Sequence, residues 1–439
     1  MSTTRRDVLR LMAIGGAGGA VQALLPGYAS GQDASTEALV ARMKADLAKH
    51  AGFGDKFSAG PGDLAAADWV AGRLRSSGYR VEAPPFDAPF FVKRAARLIA
   101  GTATVDVVPQ APVTPTGSRG VTAPLALVES TVGDVRDRIA VIVFPNARHA
   151  ALVAERGVGQ TVTSAVRAGA KAIVMVTTGP TGEAIALNSP EGGFVQIPAA
   201  VLAPKLAAPI VDAARRGAEG TLVLDGDATH RPSPNVIGRI TRGERWLAIS
   251  TPRSGWFGCV GERGTGTALF LELADWAPRR SPDHSIFVMN TGGHEYFFAG
   301  SHRAVELAPP AAATALWTHV GATVAVRDAQ ERNGTLVMLD TADPQRSMMA
   351  TDAVRAAAAE AFSGLSGLST PTPVRAGAGE LSAFTDRGYA KAFAVIGTHR
   401  PFHTVQDTLD CVDARLIVPV LQAHQRTMEL VVSEGNRKQ

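Results

Sequence analysis

Cysteine is nearly absent: the 439-residue chain holds two, Cys259 and Cys411. That excludes a disulfide scaffold and leaves either one bridge or two free thiols, which spacing does not decide. Long apolar runs are missing as well. The N-terminal stretch Leu11 to Leu25 is about 15 residues and Gly-rich, short of the roughly 20 that a bilayer needs, and no later stretch reads as a membrane span. Charge of one sign is also lacking, since 44 Lys and Arg against 40 Asp and Glu leave a net +4. No block of basic residues interrupts the mature chain, so nucleic acid is not an expected partner. Aromatics make up only 6%, so two local groups stand out: Trp256-Phe257 and Tyr296-Phe297-Phe298.

What is present points to an exported globular protein. Consecutive arginines Arg5 and Arg6, an apolar Val8-Leu9, Arg10 and a weakly hydrophobic Gly/Ala run match a twin-arginine export signal over residues 1–30, with cleavage after Ala29. The expected location is periplasmic or secreted. Apolar content of 46% in a chain of this length allows more than one core.

Periodicity gives the organisation. "TEALVARMKADLAKH" and "GDLAAADWVAGRLRSSGY" repeat apolar residues at helical spacing, and "RVEAPPF" begins a strand. From about 113 to 230 short β-like runs ("PLALVES", "RIAVIVF", "KAIVMVTT", "GTLVLDG") surround one helix, "GQTVTSAVRAGA". This predicts a β-rich insertion over 113–232 between two parts of a main domain, 31–112 and 233–439. In the second part, strands "RWLAIST", "SIFVMNTGG", "TALWTHVGATVAV", "TLVMLD" and "KAFAVIGT" alternate with helices, among them "RSMMATDAVRAAAAEAF". The expected fold is α/β, a mostly parallel mixed sheet with helices on both faces. Ligands of such folds sit at the carboxyl ends of strands. Thr251, His294 and His319 fall at or near such ends, and His403 follows another.

Five segments carry a resemblance: "GDLAAADWVAGRLRSSGYRVE", "SPNVIGRI", "GTGTALFLELA", "GHEYFFAGS" and "FHTVQDTLDCVD". Together they resemble the two-zinc exopeptidases that include bacterial leucyl aminopeptidases, carboxypeptidase-like relatives and one-zinc glutaminyl cyclases. The insertion looks like their protease-associated domain. A zinc pair takes about three carboxylates and two imidazoles, one carboxylate bridging, with a nearby Glu as general base. Carried onto this chain, the family's His-x-Asp falls on Thr251 and Arg253. Its bridging Asp falls on Gly261, or on Glu262 in a slipped register. Its base falls on His294 and the next ligand on Glu295, which is kept. A later Asp falls on His319, and the last His is His403, also kept.

The resemblance therefore implies the fold more firmly than the chemistry. Arg253 sets a fixed positive charge where a metal would lie, which disfavours a second cation. One zinc ion at most is expected, on Glu295, His403 and His319 or Glu262, with His294 as general base. The other expectation is a non-proteolytic cleft for a peptide or small polar ligand, lined by Arg253, Trp256, Glu262, Arg263 and Tyr296. A metal-free hydrolase with Ser254 or Cys259 as nucleophile and His294 or His403 as base is a third. Each residue also has a plainer role open to it: His319 as a bonded core histidine, His403 as a helix-start contact, Glu295 as a partner of Arg253 or Arg263.

Overall fold

The computed structural model describes residues 26–129, 132–147, 156–333, 335–374 and 379–437. The export signal lies outside them, apart from its last residues at the start of the helix Pro26–Gly52. The chain divides into two compact units, Met1–Leu39 and Val40–Gln439, and all three sheets and every residue discussed below belong to the second.

Eight strands form the first sheet: β1 (Arg80–Glu82), β2 (Val236–Ile240), β3 (Trp246–Pro252), β4 (Ser285–Thr291), β5 (Thr314–Val320), β6 (Arg346–Ala350), β7 (Thr372–Pro373) and β8 (Ala392–Gly397). Their order is β1-β2-β4-β3-β5-β8-β6-β7. The central four, β4, β3, β5 and β8, run parallel, while β2 and β6 flank them antiparallel. In β4 all seven residues are buried. Phe287 and Met289 enter a core with Trp317 and Phe384, and the alternate Ile286 and Val288 are equally covered. Period-2 geometry puts those two sets on opposite faces, so both faces are covered, as continuous apolar strands of a parallel sheet require. Helix Thr265–Arg280 packs on β3, β4 and β5, and the terminal helix Ala414–Arg437 on β5.

A second eight-stranded sheet is drawn wholly from residues 85 to 234. It begins and ends in a long antiparallel ribbon, Pro85–Ala100 against Glu219–Pro234. Four parallel strands, Val121–Val128, Ile139–Val143, Ala172–Val176 and Ala199–Leu202, form its middle, with separate apolar clusters on them. The sheet thus takes in residues 85–109 as well as the later stretch.

Two segments differ from their expected form. "TLVMLD" lies in the strand Thr335–Ala342, which pairs antiparallel with Arg327–Arg332 in a separate two-stranded sheet. Residues 346–362 read as a single helix, but Arg346–Ala350 is strand and only Asp352–Ala361 is helical. Met348 and Ala350 alternate with less buried neighbours while β6 pairs with β8. Tertiary pairing has overridden the helical propensity of a Met/Ala-rich run. Both cysteines are free and buried.

Candidate functional site at the strand ends

The carboxyl ends of β3, β4, β5 and β8 converge on a group of buried ionisable residues. After β4 the chain turns sharply at Gly293, whose φ of +72° suits glycine, into the short turn His294–Tyr296. A Cβ on Gly292 would lie 2.5 Å from Ser233 Oγ, so this approach tolerates no side chain.

Arg253, immediately beyond β3, is fully buried and has a partner at each of its three nitrogens. Its Nε donates to Asp63 Oδ1 at 2.8 Å, Nη1 to the Asn290 carbonyl and Oδ1 at 3.1 Å each, and Nη2 to the Pro234 carbonyl at 2.7 Å. Asp63 Oδ2 also accepts from the Ala59 amide and Ser233 Oγ.

Both Glu295 oxygens are taken. Oε1 accepts from the Ser58 amide at 2.5 Å and Oε2 from Ser254 Oγ at 2.7 Å. Burial raises its pKa, against the pull of those bonds. Ser254 Oγ in turn accepts from the His294 amide. Ser254 Oγ thus gives its proton to Glu295, and neither the His294 nor the His403 ring, the bases expected for it, is its hydrogen-bond partner.

Glu262 and Arg263 lie on a π-helical turn, Val260–Gly264, that leads into Thr265–Arg280. Glu262 Oε1 accepts from Arg263 Nη2 at 2.7 Å and faces His403 Nε2 at 2.9 Å. Burial would raise Glu262, but the Arg263 and His403 charges win and hold it at about 2. His403 Nδ1 faces the Ala186 carbonyl at 3.0 Å. Each ring nitrogen of His403 therefore lies beside an oxygen of the protein.

The fourth group centres on Glu380, which the sequence reading missed. Its Oε2 lies 2.9 Å from His294 Nδ1 and 3.9 Å from His319 Nε2, while Oε1 accepts from Thr291 Oγ1 and Ser301 Oγ. Burial opposes ionisation, yet the His294 bond and the His319 charge keep Glu380 at about 2. Burial and the Arg263 charge lower His294, and burial takes His319 down to about 4. His319 Nδ1 meets Ser250 Oγ, which also accepts from Trp317 Nε1. The only trace of Glu380 in the sequence is a lone acid in the Gly/Ala stretch "AGAGEL" ahead of a short helix.

Trp256 and Tyr296 stand apart from these pairs. With Phe57, Phe90 and Phe257 they line a largely apolar cavity of about 500 Å³, whose walls come from the strand-end loops and the long ribbon. Trp256 Nε1 is fixed on Asn188 Oδ1 and Tyr296 OH on the Pro89 carbonyl. Arg253, Glu262 and Arg263 do not line this cavity; their side chains are wholly buried. His294 and His319 instead line a smaller cavity of about 310 Å³ with Glu380, Gln345 and Ser347.

The donors read for one zinc do not fit an ion at this place. Among the described residues, Glu295, His319 and His403 are not grouped with donor atoms within 4.8 Å of one another; only His399, Asp407 and Cys411 are. Glu295 bonds two donors, His403 sits between the Ala186 carbonyl and Glu262, and two buried guanidinium groups stand at the strand ends.

No protein-family model and no curated protein matches the chain. Solved structures do. The zinc aminopeptidase BSAP from Bacillus subtilis is 17% identical with a TM-score of 0.68, over 89% of this chain and 94% of that one. A peptidase M28 precursor from Shewanella amazonensis is 17% identical with a TM-score of 0.66, over the same shares. An aminopeptidase from Aneurinibacillus sp. strain AM-1 is 19% identical with a TM-score of 0.62, covering 89% and 93%. At such identities the likeness is one of fold, and the chain has the mixed α/β fold of the zinc aminopeptidases.

Proposed function

We propose that this is an exported, non-proteolytic protein on the zinc-aminopeptidase fold, whose cleft recognises a peptide or small polar ligand carrying an apolar group. One observation carries the reading: the two ligands that the resemblance keeps both bond protein partners, Glu295 to Ser58 and Ser254, His403 to Glu262 and Ala186. The aromatic cavity beside Trp256 and Tyr296 supplies an apolar receptor of ligand size. Residues 113–232 take the place of a protease-associated domain in this reading, with the ribbon forming one cavity wall.

A second reading rests on His294. Its Nδ1 bond to Glu380 leaves Nε2 as a free base beside the smaller cavity, the arrangement a general base needs. That would suit an active aminopeptidase or aminoacyl cyclotransferase.

The experiment is a screen of the mature protein against aminoacyl-arylamides, peptides with N-terminal glutamine and short peptides with an apolar first residue. The expected result is saturable peptide binding by calorimetry without turnover. Trp256→Ala is expected to weaken that binding about tenfold, or about 1.4 kcal/mol. Zinc-dependent turnover that Glu295→Gln abolishes would overturn the proposal. Turnover lost in His294→Ala but indifferent to Glu295→Gln would establish the second reading.

A further inference from the structure

Beyond the π-helical turn lies a cluster that neither reading uses. His399 follows β8, and Asp407 and Cys411 follow at spacings of eight and four residues, the last in the turn Leu409–Cys411 that Thr408 caps. One donor atom from each lies within 4.8 Å of the other two, and each residue is 1% exposed.

Three observations point to a cation. The first is an edge: His399 Nε2 is buried and ion-paired with Asp407 Oδ1 at 3.3 Å, outside hydrogen-bond alignment. Adjacent ligands of a tetrahedral ion with bonds near 2.0 Å are separated by about 3.3 Å, so this edge already has the required length. The second is orientation. His399 Nδ1 faces Thr323 Oγ1 at 3.3 Å, which turns Nε2 inward, and the Gly261 and Glu262 amides hold Asp407 Oδ1 and Oδ2 at 2.6 and 3.0 Å. Partners on the far side of each ligand are how metal sites fix tautomer and aim. The third is space. Position 261 is glycine, and a Cβ there would lie 2.8 Å from both Asp407 Oδ1 and His399 Nε2.

We propose that His399, Asp407 and Cys411 bind one zinc ion. A nitrogen, an oxygen and a sulfur donor together suit a borderline-soft ion with no geometric preference of its own. The carboxylate and the thiolate offset its two positive charges. Binding breaks the Cys411 S–H bond, now directed at the Gln406 carbonyl at 3.3 Å, and the His399 Nε2–H bond that faces Asp407, forms the S–Zn and N–Zn bonds and releases both protons to water. Asp407 also lines a surface cavity of about 440 Å³ with Asp55 and Asp410, which gives a cation an acidic way in. This site shares no residue with Glu295, His319 and His403.

Cobalt(II) titration of the chelator-treated mature protein tests it. The expected result is one equivalent bound per chain, with a thiolate-to-cobalt charge-transfer band in the near ultraviolet that zinc displaces. The band is expected to vanish in Cys411→Ser and in Gly261→Ala, and to persist in Cys259→Ser and Glu295→Gln. Wild-type protein that binds no cobalt would overturn the proposal, as would a band that survives Cys411→Ser. A band lost in Glu295→Gln, with the variant folded by circular dichroism, would also overturn it by placing the ion at the strand ends. Zinc-dependent turnover abolished by Glu295→Gln counts against the non-proteolytic reading alone, so the two proposals fail separately.

Discussion

Replacing Asp63 by alanine is expected to cost about 3–5 kcal/mol of folding free energy, because it strands a charge. Arg253 and Asp63 are both wholly buried and 2.8 Å apart. Three carbonyl-type acceptors would remain on the guanidinium, but none carries the negative charge that compensates it. The loss of the pair and the loss of one member are different experiments. Asp63→Leu with Arg253→Met removes both charges and keeps apolar volume, so it is expected to recover most of the deficit. Urea unfolding of the two variants beside wild type measures this. A loss below about 1 kcal/mol in Asp63→Ala would mean that Arg253 escapes to water, and the sealed strand end described above would not hold.

Acid is expected to unfold the protein through Glu262 and Glu380. Both are held at about 2 in the fold against an ordinary value of 4.5. A carboxylate whose folded pKa is depressed contributes stability that is complete above the unfolded value and is lost as pH falls through the folded one. The window for these two groups is therefore about pH 4.5 down to 2, below the range from 6.5 to about 4 in which buried, neutral His319 already opposes folding. Glu380→Gln is expected to be less stable at pH 7 and to show an acid limb shallower by about one proton. Unfolding free energies at several pH values between 7 and 3 for both proteins decide it. An unchanged slope would show that His294 and Ser301 do not hold Glu380 ionised.

The sheet was legible in the sequence because its central strands are apolar throughout, as in "SIFVMNT", and are separated by helices with clear periodicity. The segment 346–362 was not, because a Met/Ala-rich strand becomes a strand only through its pairing with β8. Some strand-end positions were legible too, since Arg253 follows β3 and His294 and Glu295 follow β4. Their partners were not. Asp63 looks like an ordinary first-turn acid of the helix Pro61–Ser76, yet its carboxylate serves a guanidinium 190 residues away. Glu380 meets His294 across 86 residues, and no spacing rule reports such a pairing. His399 and Cys411 have no recognised metal-ligand spacing between them, and only folding shows that their donors face one another.

The long ribbon has a consequence for how this protein can change over generations. Pro85 pairs with Pro234, and the Asn235 amide donates to the Pro84 carbonyl at 3.0 Å, so the chain leaves and rejoins the first sheet at one clasp. The strands of the second sheet all lie between the two arms of that clasp, so insertions there interrupt no strand of the first sheet, although Ala186 and Asn188 also bond His403 and Trp256. The clasp is also riveted from below, by Ser233 on Asp63 and by Arg253 on Pro234. Phe90, on the ribbon, faces Trp256 and Tyr296 across the aromatic cavity. Drift in the appendage would therefore retune what the cavity accepts, while the rivet keeps the frame beneath it unchanged.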